Sequence, residues 1–531
     1  MPDQTESSQD ESQGFHPGHN PWAVALTVTI ATFMEVMDTS IANVALPHIA
    51  GGLSAGQDES TWVLTSYLVS NAIILPISAW LSTRFGRKRF YMSCVALFTV
   101  SSFLCGLAPS LGALIFFRIL QGIGGGGLGP SEQAILADTF PTAKRGMAFA
   151  VYGMAVVLAP AIGPTLGGFI TDHYSWRWIF YVNIPFGILS LFLTSFMVKD
   201  PPHMKKAQRE IKRYPVDFVG LVLVGTGLGA LQVVLDKGQR DDWFTSPFIT
   251  SFTVLSICAL LVFVVWEWRQ KQPIVHLKLF KNPSFAVANL LMLTLGAVLF
   301  GSTVLLPQFV QVEMGYSAQQ AGEVLSPGGF FILLLMPIVG LLVSRVDARY
   351  LIAFGFVISA LALFHMTDLN LNLDYRTLMW WRVYQAAGLA FLFVPINTIS
   401  YTGMPREASN QVSGLINLMR NMGGSIGISA VTTLVVRRQL VHENYLARNT
   451  FQANPHLQQL LAGMTARLQT RTGSVEATHQ AYGQIYGLVQ RQASVLAYID
   501  VFWIMGTMCI LAMGLLFFAK KSKPGQAPAA H

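Results

Sequence analysis

Charge is what this chain has least of. Only 12% of its 531 residues are Asp, Glu, Lys or Arg, about half the share of a soluble domain, which excludes an ordinary water-soluble enzyme. Cysteine is scarce too. Cys94, Cys105, Cys258 and Cys509 all fall inside apolar runs with no paired spacing, so neither a disulfide framework nor a zinc site is indicated. No G-x-x-x-x-G-K-[ST] stretch occurs, which excludes a Walker-type ATPase within the chain. His48 and His365 are isolated, and no nucleophile, base and orienting group occur together. The net charge of +8 lies in short connections between apolar runs, so no nucleic-acid partner is expected, nor any metal or cofactor. The first twenty residues hold Asp3, Glu6, Asp10 and Glu11 but no lysine or arginine. They do not read as a cleaved signal peptide, and their Ser/Gln-rich character reads as a disordered tail.

What the chain has in abundance is long hydrophobic runs: 52% of residues are hydrophobic and the mean hydropathy is +0.48. A bilayer core about 30 Å thick takes roughly 20 apolar residues per helix. Fourteen such stretches occur, near 23–49, 61–82, 90–108, 111–133, 147–170, 177–198, 216–235, 247–268, 284–306, 319–343, 350–366, 376–401, 411–436 and 495–519. The expected fold is therefore an all-α integral membrane protein. With the N-terminus inside, inner connections and the C-terminal tail carry 22 lysines and arginines against 4 in the short outer connections. The positive-inside bias then places both termini in the cytoplasm.

An internal repeat organises these spans. The turn Leu81-Ser82-Thr83-Arg84-Phe85-Gly86-Arg87-Lys88 is echoed by Leu342-Val343-Ser344-Arg345-Val346-Asp347-Ala348-Arg349, and Arg118-Ile119-Leu120-Gln121 by Arg382-Val383-Tyr384-Gln385. The two offsets nearly agree, as expected of two related bundles. The domain plan is a tail 1–21, a six-helix bundle 22–200, a linker 201–283 with two additional spans, a second bundle 284–519 with a long outer segment 437–494, and a tail 520–531.

Charges at bilayer depth are the candidate functional residues. Glu35 and Asp38 lie three apart, on one face of the first span. A carboxylate there costs about 2.5–3.5 kcal/mol on insertion scales, so it faces a cavity, pairs with a cation or carries a proton, and intramembrane acids default to function. Arg118 in the fourth span cannot shed its charge and needs an acceptor on another helix; paired with Asp38 it would gate that group's proton, or serve as a fixed structural ion pair. Glu132, at the far end of the same helix, is expected at a solvated, interfacial position, the alternative being a third member of the Asp38–Arg118 group. Arg382 and Arg420 are the intramembrane cations of the second bundle. The run Gly122-Ile123-Gly124-Gly125-Gly126-Gly127 follows no strand, so it reads as close helix packing rather than a dinucleotide loop. Gly153 and the stretch Ala159-Pro160-Ala161-Ile162-Gly163-Pro164-Thr165-Leu166-Gly167-Gly168 predict a bend in the fifth span. Phe33, Trp62, Tyr67 and Asn71 are candidate walls of a substrate cavity, together with Arg382 and Arg420.

Several of these stretches coincide with one family's motifs. Met37-Asp38-Thr39-Ser40-Ile41-Ala42-Asn43-Val44-Ala45-Leu46-Pro47, the turn Arg84-Phe85-Gly86-Arg87-Lys88, Arg118-Ile119-Leu120-Gln121-Gly122, Gly163-Pro164-Thr165-Leu166-Gly167-Gly168, and Trp176-Arg177-Trp178-Ile179-Phe180-Tyr181-Val182-Asn183-Ile184-Pro185 carry the likeness. Over about residues 22–520 the chain resembles the fourteen-span drug:proton antiporters of the major facilitator superfamily, of the EmrB/QacA type. The resemblance implies a major facilitator fold with 6+2+6 helices and proton-driven export of hydrophobic or amphipathic toxic compounds across a bacterial inner membrane. It further implies Asp38 as the proton-linked acid, Arg118 as the motif arginine, Arg84, Gly86 and Arg87 as the cytoplasmic turn, and Gly163, Pro164, Gly167 and Gly168 as the antiporter motif. Thr83 stands where that turn usually has an acid, and Ala159 where glycine is frequent. The alternative is a dedicated exporter of one metabolite, fatty acid or siderophore. In the outer segment Leu457, Leu460, Leu461, Met464 and Leu468 follow helical spacing. By resemblance, partners are a periplasmic adaptor of the EmrA type and a TolC-like outer-membrane channel; self-packing of this helix is the alternative to docking.

Overall fold

The computed structural model describes residues 18–448, 454–470 and 473–520, and among them every regular element is a helix. The long helices in chain order are α1 (Pro21–Gly52), α2 (Trp62–Phe85), α3 (Arg87–Leu107), α4 (Leu111–Thr139), α5 (Thr142–His173), α6 (Trp178–Met197) and α7 (Phe218–Lys237). They continue as α8 (Pro247–Arg269), α9 (Pro283–Val312), α10 (Ala318–Val343), α11 (Ala348–His365), α12 (Tyr375–Ser400), α13 (Ser409–Ala447) and α14 (Ser474–Met513). Twelve are long and apolar enough to cross a membrane, and the bent α5 makes a thirteenth. Helix α13 carries Arg420 and several amides and falls short on composition, yet it is long enough to cross and packs along α9, α14 and α2. The structure is thus compatible with fourteen spans. The expected tail at 1–21 lies outside the described residues up to position 17, and the tail at 520–531 lies outside them beyond Lys520.

Short connections make neighbours antiparallel. Helix α1 packs along α5, α5 along α10, α9 along α13, and α12 along both α10 and α11. The additional pair α7 and α8 pack on each other, and α7 leans on α2. Helix α8 is the least covered span, and Val254, Leu261 and Val265 stand exposed on it, as suits a helix bathed in lipid.

Glycines and prolines set the geometry near the middle of the bundle. A Cβ on Gly122 would meet Ser70 Oγ at 2.1 Å, and one on Gly124 would meet the Phe98 backbone N at 2.7 Å. The glycine run therefore seats α4 against both α2 and α3, and α4 breaks at its last two glycines, between Gly125 and Leu128. The expected bend in α5 is present: segments Thr142–Pro160 and Ile162–His173 meet at 41°.

Two features depart from the sequence reading. A short amphipathic helix, Pro202–Lys212, follows α6, and its Gln208 Nε2 donates to Arg84 O at 3.0 Å. The outer segment is mostly a continuation of spans: α13 runs on to Ala447 and α14 starts at Ser474. At 1.5 Å per residue each is about 60 Å long, roughly twice the hydrocarbon core. Both project beyond the side on which α1 ends. Helix Pro455–Gln469 lies between them and packs on α14 with none of its residues buried.

Candidate functional site

The first-span carboxylate at Asp38 sits in a cage of three donors from two other helices, α4 and α6. Arg118 Nη1 donates to Asp38 Oδ2 at 2.6 Å. Gln121 Nε2 and Asn183 Nδ2 donate to Oδ1 at 2.9 and 2.7 Å. Behind them Ser102 Oγ accepts from both amides, at 3.3 and 3.0 Å, and donates to Phe180 O at 2.8 Å. The guanidinium is fixed in turn: its Nε donates to Val63 O at 3.1 Å and it lies 4.3 Å over the Tyr67 ring. Arg118 is 0% exposed and Asp38 2%. Spacing explains the convergence, because Arg118 and Gln121 share one face of α4 and α1 crosses that face. Ser102 carried no distinguishing signal beyond being polar in an apolar helix, and Asn183 none beyond its place in the Trp176–Pro185 stretch.

Glu35, one turn earlier on α1, has a different setting. It is only half-buried and accepts from Asn71 Nδ2 at 3.1 Å. Gly125 opens the space beside it, since a Cβ there would lie 2.6 Å from Tyr67 Oη and 3.4 Å from Glu35 Cγ. Glu132 corrects an expectation. It is 0% exposed, and Thr29 Oγ1 on α1 donates to it at 2.6 Å. The break in α4 lets the second half of the helix turn this side chain into the protein instead of out to the interface. Arg420 heads a chain of amides: its Nη1 donates to Tyr152 Oη at 2.8 Å, Tyr152 donates to Asn417 at 2.9 Å, Asn417 to Gln133 at 2.9 Å and Gln133 to Asn397 at 3.0 Å. These bonds tie α4 and α5 to α12 and α13. None of the four amide and phenol partners was singled out from sequence.

In the second part of the chain, Arg382 Nη1 donates to Gln385 Oε1 at 2.6 Å, as Arg118 does to Gln121 at 2.8 Å. Arg382 and Arg420 do not share a cluster. The candidate wall residues also separate: Tyr67 and Asn71 belong to the Arg118 and Glu35 environments, Phe33 packs edge-on against Phe186 at 6.3 Å, and Trp62 lies 4.9 Å under the Lys237 ammonium at the far end of α7.

The motif turn between α2 and α3 is built by Gly86 at φ +92°, a left-handed conformation that favours glycine. It delivers Arg87 inward, where Nη1 donates to Asp138 Oδ2 at 2.7 Å and to Ala134 O at 3.1 Å, and leaves Arg84 half-buried, 5.3 Å over the Trp80 ring. Thr83 Oγ1 accepts from Asn410 Nδ2 of α13 at 3.2 Å, a neutral bond where an acid would give a charged one. On α5, a Cβ on Gly163 would meet Ser40 Oγ at 2.4 Å and one on Gly167 would meet Ile41 at 3.2 Å, while Gly168 faces open space. The Gly163-Pro164 segment thus touches α1 within one turn of Asp38. Among the described residues no three His, Cys, Asp or Glu side chains are grouped to hold a metal.

Long antiparallel helices, an arginine–glutamine pair repeated in both parts of the chain and polar groups concentrated inside an apolar bundle define a multi-pass membrane transporter. The chain belongs to the Major Facilitator Superfamily, whose family model matches residues 28–428. It is 35% identical to the multidrug export protein EmrB of Escherichia coli K12, over 94% of this chain and 95% of that one. The fatty acid resistance protein FarB of Neisseria gonorrhoeae is likewise 35% identical, over 94% and 96%. Among solved structures, the proton:xylose symporter XylE superposes with a TM-score of 0.60 at 15% identity, covering 95% and 97%; that likeness concerns the fold alone.

Proposed function

We propose that this transporter is a proton-coupled exporter of hydrophobic and amphipathic compounds. The observation that carries the reading is the Asp38–Arg118 pair, fully buried and held by three donors at the seam of α1, α4 and α6. Placing a proton on Asp38 removes the counter-ion of a guanidinium that cannot neutralise itself. The cage must then rearrange, and because Gly163 and Gly167 pack directly on α1, movement of α1 reaches the bend of α5. Protonation and helix rearrangement are coupled by geometry. Glu35, half-buried one turn away, is the group through which protons or cationic cargo reach this pair. The similarity to EmrB supports drugs as cargo.

The 22 to 4 basic asymmetry supports a cytoplasmic membrane location with both termini inside. Residues 22–200 and 284–519 act as the two moving bundles, with α7 and α8 as an accessory pair. The projecting α13–α14 segment then faces the periplasm and offers the surface on which an EmrA-type adaptor, leading to a TolC-like channel, would dock. The test is uptake of an amphipathic dye by inside-out vesicles under an imposed pH gradient. Uptake that follows the gradient and is lost in Asp38→Asn supports antiport; uptake that ignores the gradient refutes it.

A further inference from the structure

The two arginine–glutamine pairs differ in one respect that has chemical consequences. Arg118 and Arg382 are 264 residues apart, as are Gln121 and Gln385, and the same step from Asp38 leads to Ser302. Ser302 does occupy the equivalent place, since Arg382 Nη1 donates to its Oγ at 3.1 Å. Where the first site has a carboxylate, the second has a hydroxyl.

Arg382 is 6% exposed and permanently charged. Its partners among the described residues are all neutral: Ser302, Gln385 and, through Nη2, Thr303 Oγ1 at 3.0 Å. The Ser302 and Thr303 hydroxyl protons are committed to Leu299 O, so both oxygens act only as acceptors. These bonds engage three of the guanidinium's five N–H groups. Gln385, 0% exposed, has a buried Nε2 with no acceptor among the described residues. A cation without a counter-ion and an amide donor without an acceptor, side by side, lack the same thing, and a buried charge left unpaired is unfavourable. The arginine is also held in place, because Gly328 on α10 leaves room for its stem, with a Cβ there lying 3.0 Å from Arg382 Cγ.

We propose that Arg382 and Gln385, framed by Ser302 and Thr303, form a subsite for one monovalent anion, either the carboxylate headgroup of an amphipathic substrate or a free halide. The bound anion takes the position relative to this pair that the Asp38 carboxylate takes relative to Arg118 and Gln121. Only the identification of the amphiphile as cargo rests on the export reading; binding of the anion does not.

The test is calorimetric binding to the full chain in nanodiscs, with dodecanoate, dodecanol and dodecyltrimethylammonium as probes, in chloride and in gluconate buffers. Wild type should prefer dodecanoate. Ser302→Asp supplies the missing carboxylate internally, so it should preserve folding and weaken dodecanoate by about ten- to hundredfold, leaving dodecyltrimethylammonium within about twofold. Gln385→Leu should weaken dodecanoate by a smaller factor. Dodecanoate affinity that is equal in both buffers assigns the site to the headgroup, and affinity that rises when chloride is removed shows that halide takes it too. Dodecanoate binding unchanged in both variants would overturn the proposal, and because no proton gradient is involved, that result is separate from a failure of antiport.

Discussion

Replacing Asp38 with asparagine tests how much the buried cage depends on charge. The carboxylate receives Arg118 on Oδ2 and two amides on Oδ1. Asparagine has one acceptor oxygen, so whichever way its amide points an N–H meets a donor: Arg118 in one orientation, Gln121 and Asn183 in the other. Arg118, with no exposed surface, is left as an uncompensated cation. Breaking a buried pair in this way costs about 3–5 kcal/mol. Removing both partners, in Asp38→Asn with Arg118→Met, takes the stranded charge away and should return most of that loss. The assay is a double-mutant cycle on reversible unfolding in bicelles, read by tryptophan fluorescence. Coupling of more than about 2 kcal/mol is expected. Single variants within about 1 kcal/mol of wild type, or a double variant as unstable as the sum of the singles, would refute the reasoning.

Gly122→Ala should destabilise the protein by about 1–3 kcal/mol through overpacking, because its Cβ falls on Ser70 Oγ and Tyr67 O; Gly168→Ala, facing open space, should be close to neutral in the same unfolding assay. His276, in the connection between α8 and α9, is pushed below its usual value by burial. The folded protein therefore binds fewer protons there than the unfolded chain, and stability is complete above about pH 6.5 and falls as pH drops below it. Thermal unfolding of wild type and His276→Asn between pH 5 and pH 8 checks this, with a shallower acid slope expected in the variant.

The spans were legible because lipid demands long apolar runs and little else, and the bend of α5 because proline and glycine have local consequences. Asp38, Arg118 and Gln121 could be read because charge at bilayer depth is rare, and helical spacing put the last two on one face. Asn183 and Ser102 could not: a lone amide or hydroxyl in an apolar helix is unremarkable until another helix brings a carboxylate to it. Glu132 was misjudged for a related reason. Its position along α4 suggested an interface, and only the break after Gly125 turns it toward Thr29. The Asn417–Gln133–Asn397 chain joins residues far apart in sequence, and nothing local marks such a partnership. The outward extension of α13 and α14 escaped notice because hydropathy reports where lipid ends, not where a helix does.

The coupling of cargo to the Asp38 proton can be measured without any gradient. In weakly buffered detergent solution with a pH indicator dye, adding a saturating amphipathic drug to the purified transporter should change the proton content of wild type by up to about one proton per molecule, and Asp38→Asn should show no such change while still binding the drug. A drug-linked proton signal of equal size in wild type and Asp38→Asn would contradict the account at its centre.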